Sequence, residues 1–380
     1  MNIKKILTKI NNIIPKFKIV IFNSNPDFAD NAYSLYSYLL ENRSDVLKKY
    51  KIIWACNNRK SLKNQKIKFG KIIYKKSFLG LLYFFIAEKI ICTHNYFYDV
   101  KSGKNQTIYN LWHGCGYKKL KNDREYYRGD YTFVTSLEYK KIQGLELNIP
   151  QENVIITGLA RNDKLFRRTN CLEKLGIYRD KYSQLVIWLP TFRRSISKEL
   201  GNDGCYNLFG INEVLERPDS SLLDWLKNKK ILLIIKPHPL EKIDDLSIHK
   251  SDNIMFLTND MMHNIDVDLY DILQETDVLL SDYSSVIVDY LLLDKPIALI
   301  CSDYTSYETD RGFMFENCEE YLPGPIIKNE EEFINYIKQI DEINEEWREK
   351  RILLKNKLHR YQDDKSSERV AKFIFGNYSN

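Results

Sequence analysis

Two successive series of short apolar runs, each run followed by a helix-like or loop-like stretch, limit what this chain can fold into more than any other feature. The first series comprises Phe17 to Phe22, Lys51 to Cys56, Lys89 to Thr93, Thr107 to Leu111, Tyr131 to Thr135 and Asn153 to Ile156. The second comprises Leu185 to Pro190, Ile231 to Ile235, Asn253 to Leu257, Val278 to Leu280 and Ile297 to Ile300. Such runs, rich in Ile, Val, Phe and Tyr, read as strands, and strands alternating with helices make a mainly parallel sheet. The fold class is therefore α/β, with two Rossmann-like doubly wound domains. The charged stretch 164–184 reads as the linker, giving domains 1–175 and 176–380. After Pro325 the pattern turns to charged helices, Glu330 to Ile340, Asn344 to Leu358 and Ser366 to Phe375, which suit the flank of a sheet.

A chain of 380 residues with 44% hydrophobic content can bury two cores. Its 57 Lys+Arg against 51 Asp+Glu give a net charge of +6, mild for this length, which argues against a nucleic-acid partner and leaves room for an anionic one. The seven cysteines form no CxxC pair and read as reduced, buried thiols of a cytosolic protein. The longest uncharged apolar run, Phe78 to Ala87, is too short for a membrane span. Residues 1–14 place Ile3, Ile6, Leu7, Ile10, Ile13 and Ile14 at helical spacing with Lys4, Lys5 and Lys9 between them, and Pro15 stops the helix. A basic amphipathic helix of this kind suits either an anionic membrane surface or packing on its own domain.

The most informative unit runs from Asp277 to Ile300. A buried strand leads into Ser281-Asp282-Tyr283-Ser284-Ser285, Val286 opens a helix, and Pro296 starts the next strand. The polar turn puts hydroxyls and helix amides at one spot, which suits a phosphate, although Ser284 alone serves equally as a helix cap.

Other candidates follow strands in the same way. Trp112-His113-Gly114 places an imidazole beside a glycine, and His113 is suited to general-base work near neutral pH. Lys118 and Lys119 suit phosphate or solvent. Lys236-Pro237-His238-Pro239 fixes the backbone on both sides of His238, so its imidazole is aimed, and it can donate to a phosphate oxygen or protonate a leaving group. Arg193 in Pro190-Thr191-Phe192-Arg193 and Arg161 in Gly158-Leu159-Ala160-Arg161-Asn162-Asp163 present planar forks for phosphate or carboxylate, or form ordinary ion pairs. Arg311, before Gly312-Phe313 and the later Pro323-Gly324-Pro325, is expected near the Ser284 helix. His94, His249, His263 and His359 lack such surroundings and read as structural or exposed.

No GxxxxGK[ST] loop and no GxGxxG after the first strand are present, which excludes the familiar P-loop hydrolases and dinucleotide oxidoreductases. Zinc-type spacings are missing, and Asp244-Asp245 and Asp266-Val267-Asp268 do not read as an oxygen-rich loop after a strand. No metal and no cofactor are expected; protein cations do the neutralising. What remains is a cleft for a phosphorylated or nucleotide-linked donor.

Taken together and in order, the motifs at 112–119, 158–163, 190–193, 236–239, 281–285 and 311–325 make the chain resemble the CDP-glycerol glycerophosphotransferase family of teichoic acid and capsule synthesis, over roughly residues 17–375. The resemblance implies a GT-B arrangement with the nucleotide on the C-terminal domain and the acceptor approaching from the N-terminal one. It implies His113 as catalytic base, and His238 and Arg311 as groups meeting the pyrophosphate. Lys236, Arg193, Ser281, Asp282, Ser284 and Ser285 complete the expected donor side, and Gly114, Lys118, Arg161 and Asp163 the acceptor side. Cys115-Gly116-Tyr117 stands where the family commonly has Thr-Pro-Leu, and Ala160 where Pro is usual. The expected reaction moves glycerol phosphate from CDP-glycerol to a hydroxyl of a lipid-linked or polymeric acceptor and releases CMP, on the inner face of the membrane. The alternatives are a CDP-ribitol donor, a nucleotide-sugar glycosyltransferase, and a non-catalytic binder of anionic polymer.

Overall fold

The computed structural model describes residues 3–63, 67–97, 100–119, 128–190, 220–237, 252–301, 304–310 and 312–377. The chain forms two compact units. The first gathers Met1–Cys115, Asn122–Lys164 and Leu358–Asn380; the second gathers Gly116–Lys121 and Leu165–Lys357.

In the first unit the strands are β1 (Phe17–Asn23), β2 (Lys51–Cys56), β3 (Lys71–Tyr74), β4 (Ala87–Cys92), β5 (Thr107–Asn110), β6 (Tyr131–Val134) and β7 (Val154–Ile156). They pair in parallel in the order β3-β2-β1-β4-β5-β6-β7. Alternation along β1 divides its side chains between two cores. Val20 and Phe22 join Trp54, Tyr36 and Leu39 on one face, while Ile19 and Ile21 join Ile53, Phe84 and Ile90 on the other. Both faces are covered, as a parallel sheet requires.

The second unit holds β8 (Gln184–Leu189), β9 (Ile231–Ile235), β10 (Ile254–Phe256), β11 (Val278–Ser281), β12 (Ile297–Ile300) and β13 (Ile326–Ile327). Their order is β10-β9-β8-β11-β12-β13, again parallel. In each unit the strand order reverses beside the unit's first strand, at β1/β4 and β8/β11, and in such sheets ligands bind outside the carboxyl ends at the reversal.

The terminal helices divide between the units. Glu330–Lys338 packs Phe333, Tyr336 and Ile337 into the second core, whereas Ser366–Phe375 returns to the first unit with Val370, Ala371 and Ile374. It is held there by Arg43, whose guanidinium donates to the Gly376 carbonyl at 3.2 Å, and by Arg369, which donates to the Thr157 carbonyl at 2.9 Å. The first unit thus includes the C-terminus and loses Gly116–Lys121, unlike a simple division near residue 175. The described cysteines, Cys56, Cys92, Cys115, Cys171, Cys301 and Cys318, are all buried. Among the described residues, no helix is long and apolar enough to cross a membrane.

Candidate functional site

His113 follows β5 on a loop that its neighbours fix. Trp112 and Gly114 on either side both have left-handed backbone, with φ 56 and φ 129. Gly adopts this without strain; Trp112 is held in it by bonds. Its N–H donates to Asn110 Oδ1 at 3.0 Å and its carbonyl accepts from Asn31 Nδ2 at 3.0 Å. The His113 carbonyl accepts from Arg161 Nη1 at 3.0 Å, and the same nitrogen meets Asp30 Oδ1 at 2.9 Å. Asn31 Oδ1 in turn accepts from the Arg161 backbone N–H at 3.0 Å. Asp30 and Asn31 begin the helix Asp30–Asn42 and so tie the His113 loop to the turn Ala160–Phe166.

The imidazole is oriented as well. His113 Nδ1 lies 3.4 Å from the Thr93 carbonyl, which can only accept, so the contact selects the Nδ1–H tautomer and leaves the lone pair on Nε2. The rings of Trp112 and His94 lie at 4.1 Å and 4.3 Å from it, His94 tilted by only 11°. His94, read from sequence as structural or exposed, therefore stands against the candidate base. A signal for it existed: Thr93-His94 follows β4 just as His113 follows β5, and these strands are neighbours.

Arg161 and Asp163 are both engaged within the fold. Nη1 of Arg161 is engaged with Asp30 and the His113 carbonyl, so the guanidinium holds the His113 loop. Asp163 Oδ1 and Oδ2 accept the backbone N–H groups of Ser366 and Ser367 at 2.8 Å each, capping the last helix, while burial pushes its carboxyl up from the ordinary value. Lys118 lies in the second unit, pairs with Phe313 as an antiparallel bridge and holds its ammonium 5.8 Å over the Tyr307 ring.

On the second unit, Ser281 is fully buried and its hydroxyl donates to the Leu189 carbonyl at 2.8 Å, joining β11 to β8 rather than facing a ligand. Asp282 is buried, and Ser284 and Ser285 are half-buried at the carboxyl end of β11. The expected helix cap takes another form. The helix Val286–Tyr290 spans five residues, and Ser285 at its cap position has helical backbone and makes no capping bond with its side chain. Ser284 Oγ accepts from the Val286 N–H at a long 3.4 Å. So short a helix has little dipole, and any hold on phosphate here rests on the hydroxyls and local amides. Gly116 packs against this turn: a Cβ on it would stand 3.0 Å from the Ser285 Cβ.

Lys236 follows β9, is buried, and donates its backbone N–H to the Trp188 carbonyl at 2.9 Å. Burial lowers its ammonium to about 8. His238, Arg193 and Arg311 lie outside the described residues. The Phe313 ring lies 5.6 Å from that of Tyr283, which also stacks on Tyr307 at 3.9 Å. Among the described residues, no group of three or more His, Cys, Asp and Glu side chains is arranged to hold a metal ion.

The teichoic acid ribitol-phosphate polymerase TarK of Staphylococcus aureus is 28% identical over 390 residues, covering 95% of this chain and 69% of TarK. The teichoic acid glycerol-phosphate transferase of the same organism is 26% identical over 403 residues, covering 98% of this chain and 95% of that one. The chain spans 55% to 69% of the length of the ribitol-phosphate polymerases it matches. The wall teichoic acid polymerase TagF superposes with a TM-score of 0.74 at 21% identity, covering 98% of this chain and 91% of TagF, so the fold is the GT-B-like one of that enzyme. The family model described as CDP-Glycerol:Poly(glycerophosphate) glycerophosphotransferase matches residues 6–376, and the chain belongs to that family of polyol-phosphate transferases.

Proposed function

We propose that this protein transfers glycerol phosphate from CDP-glycerol to a hydroxyl of a lipid-linked or polymeric acceptor in teichoic acid or capsule synthesis. The observation that carries the reading is the orientation of His113, whose Nδ1 faces the Thr93 carbonyl at 3.4 Å and whose Nε2 keeps its lone pair. In the reaction, Nε2 takes the proton of the acceptor hydroxyl as its oxygen attacks the polyol-bearing phosphorus. The phosphoanhydride bond breaks, and CMP leaves with the bonding electrons. Lys236, Ser284 and Ser285, with His238, Arg311 and Arg193, neutralise the charge that develops on the phosphates. Buried Lys236 binds such charge strongly, because little solvent screens it.

Ribitol phosphate is the second donor reading, favoured by the ribitol-phosphate polymerases at 28% and 27% identity. Release of CMP from CDP-glycerol and from CDP-ribitol, measured side by side with a primed lipid acceptor, decides between them. Turnover of CDP-ribitol alone would move the assignment to ribitol, and turnover of neither would sink both.

The acceptor of such a reaction sits on a membrane, and the first unit has a surface suited to one. The helix Ile3–Ile13 packs on its own unit through Leu7, Ile14 and Asn11, whose amide donates to the Lys101 carbonyl and Gln106 Oε1. Ile10 and Ile13 remain exposed, Ile13 at 80%, and Phe78, Leu79 and Leu82 are exposed on the helix Phe78–Ile86. Both helices cover the same core, and Lys16 Nζ at the end of the first donates to the Phe85 carbonyl at 2.6 Å. Apolar side chains beside Lys4, Lys5 and Lys9 suit peripheral attachment to an anionic inner leaflet.

A further inference from the structure

We propose that His94 is a positioning residue for His113, holding the base's imidazole by face-to-face stacking in the one tautomer that can accept the acceptor's proton. The inference rests on the reading of His113 as base. The two rings lie 4.3 Å apart and 11° from parallel, so the stack fixes the plane of the His113 ring, and within that plane the Nδ1 contact to the Thr93 carbonyl selects the tautomer. A 3.4 Å hydrogen bond is weak and does not fix a ring by itself. A flat neighbour supplies the missing restraint, because it leaves the imidazole a single plane in which to lie.

His94 is itself anchored. Its Nδ1 lies 3.1 Å from Thr93 Oγ1, and that hydroxyl accepts from the Asn25 backbone N–H at 3.3 Å. One residue, Thr93, therefore holds both imidazoles, His94 by its side chain and His113 by its carbonyl. Burial keeps His94 neutral first of all. With the His113 ring and the cations of Lys75 and Arg128 acting in the same direction and Asp30 opposing, its pKa is lowered to about 3. Lys75 is fixed in place by Asn23 Oδ1 at 3.2 Å and the Asn95 carbonyl at 3.0 Å, and Arg128 lies 5.7 Å over the Trp112 ring. A neutral His94 puts no second charge beside the imidazolium that His113 becomes when it takes the acceptor's proton. A second charge on His94 would face that imidazolium at stacking distance and oppose its formation.

The test compares His94→Leu, which keeps apolar bulk without a flat face, with His94→Phe, which keeps the face without the nitrogens. Turnover is read as CMP release from CDP-glycerol with a primed lipid acceptor. The Leu variant should lose about tenfold or more in kcat with the donor KM within about twofold, and the Phe variant should recover to within about threefold of wild type. Histidine-selective 15N spectra give a readout independent of activity. With 6 histidines in the chain, the His113 signals are assigned by their loss in His113→Gln. They should report Nδ1–H in the wild type and the Phe variant, and a mixture of tautomers in the Leu variant. Unchanged His113 signals in the Leu variant, or a Phe variant as impaired as the Leu one, would overturn the inference. If His113→Ala turned over normally, the base reading would fail instead, while the nitrogen signals would still report whether His94 holds the ring.

Discussion

Arg161 reaches across 48 residues of sequence to donate to the backbone carbonyl of His113 at 3.0 Å, with the nitrogen that also meets Asp30 at 2.9 Å. The guanidinium thus holds the loop that carries the candidate base. Replacing it with alanine removes a largely buried ion pair and leaves Asp30 unmatched, at a cost of about 3 kcal/mol. Arg161→Ala should lower the midpoint of thermal unfolding and reduce kcat by about tenfold or more while leaving donor affinity nearly unchanged. Donor affinity that fell as far as kcat would show that Arg161 acts on the substrate directly.

The sheets were legible in the sequence because a parallel strand is buried on both faces and needs a continuous apolar run, as Ile231–Ile235 provides. β3 escaped because its four residues carry Lys71 at one end and follow Gly70, and β13 because two residues make no pattern. The place of His113 at a strand end was equally legible. The roles of its neighbours were not: the sequence singles out Arg161 for another role and passes over His94 after neighbouring β4, and the pairing of Asp30 with Arg161 is a tertiary contact that no local spacing records. The same applies to Asp163 and Ser281, whose polar groups are taken up within the fold. Asp163 looked like a ligand group in sequence because its partner helix lies 203 residues away.

Asp163 offers a direct check of that structural role. Asp163→Ala removes the cap of the helix Ser366–Phe375 and should cost about 1–2 kcal/mol of stability, with kcat of the folded enzyme within about twofold of wild type. Thermal unfolding and turnover measured on one preparation separate the two; full stability with lost turnover would return Asp163 to the acceptor side.

With Lys236 on the donor side, as proposed, donor binding should be sensitive to alkali. Its ammonium is lowered to about 8 by burial, so in the free enzyme the charged form is lost as pH rises through about 8. The donor KM should therefore climb above pH 8. In Lys236→Arg, which stays charged, that rise should disappear. Folding runs the other way: burial penalises the charged form, and this penalty is present below about pH 8 and fades as pH approaches the unfolded value of 10.5. A donor KM that stays flat between pH 7 and 9.5 would remove Lys236 from the donor site.

Attachment to membranes should depend on the exposed apolar side chains more than on any single charge. The double substitution Ile13→Glu with Phe78→Glu places two carboxylates where the surface would enter the headgroups. It should abolish co-sedimentation with anionic liposomes while leaving turnover of a soluble acceptor analogue unchanged. Undiminished liposome binding would mean that this surface does not face the membrane.

In the proposed reaction His113 removes the acceptor's proton. The most direct test is CMP release from CDP-glycerol by His113→Ala in the presence of a primed lipid acceptor, with donor affinity measured on the same protein by calorimetry. Donor affinity should stay close to wild type while CMP release falls by about a hundredfold or more. CMP release at the wild-type rate would contradict it.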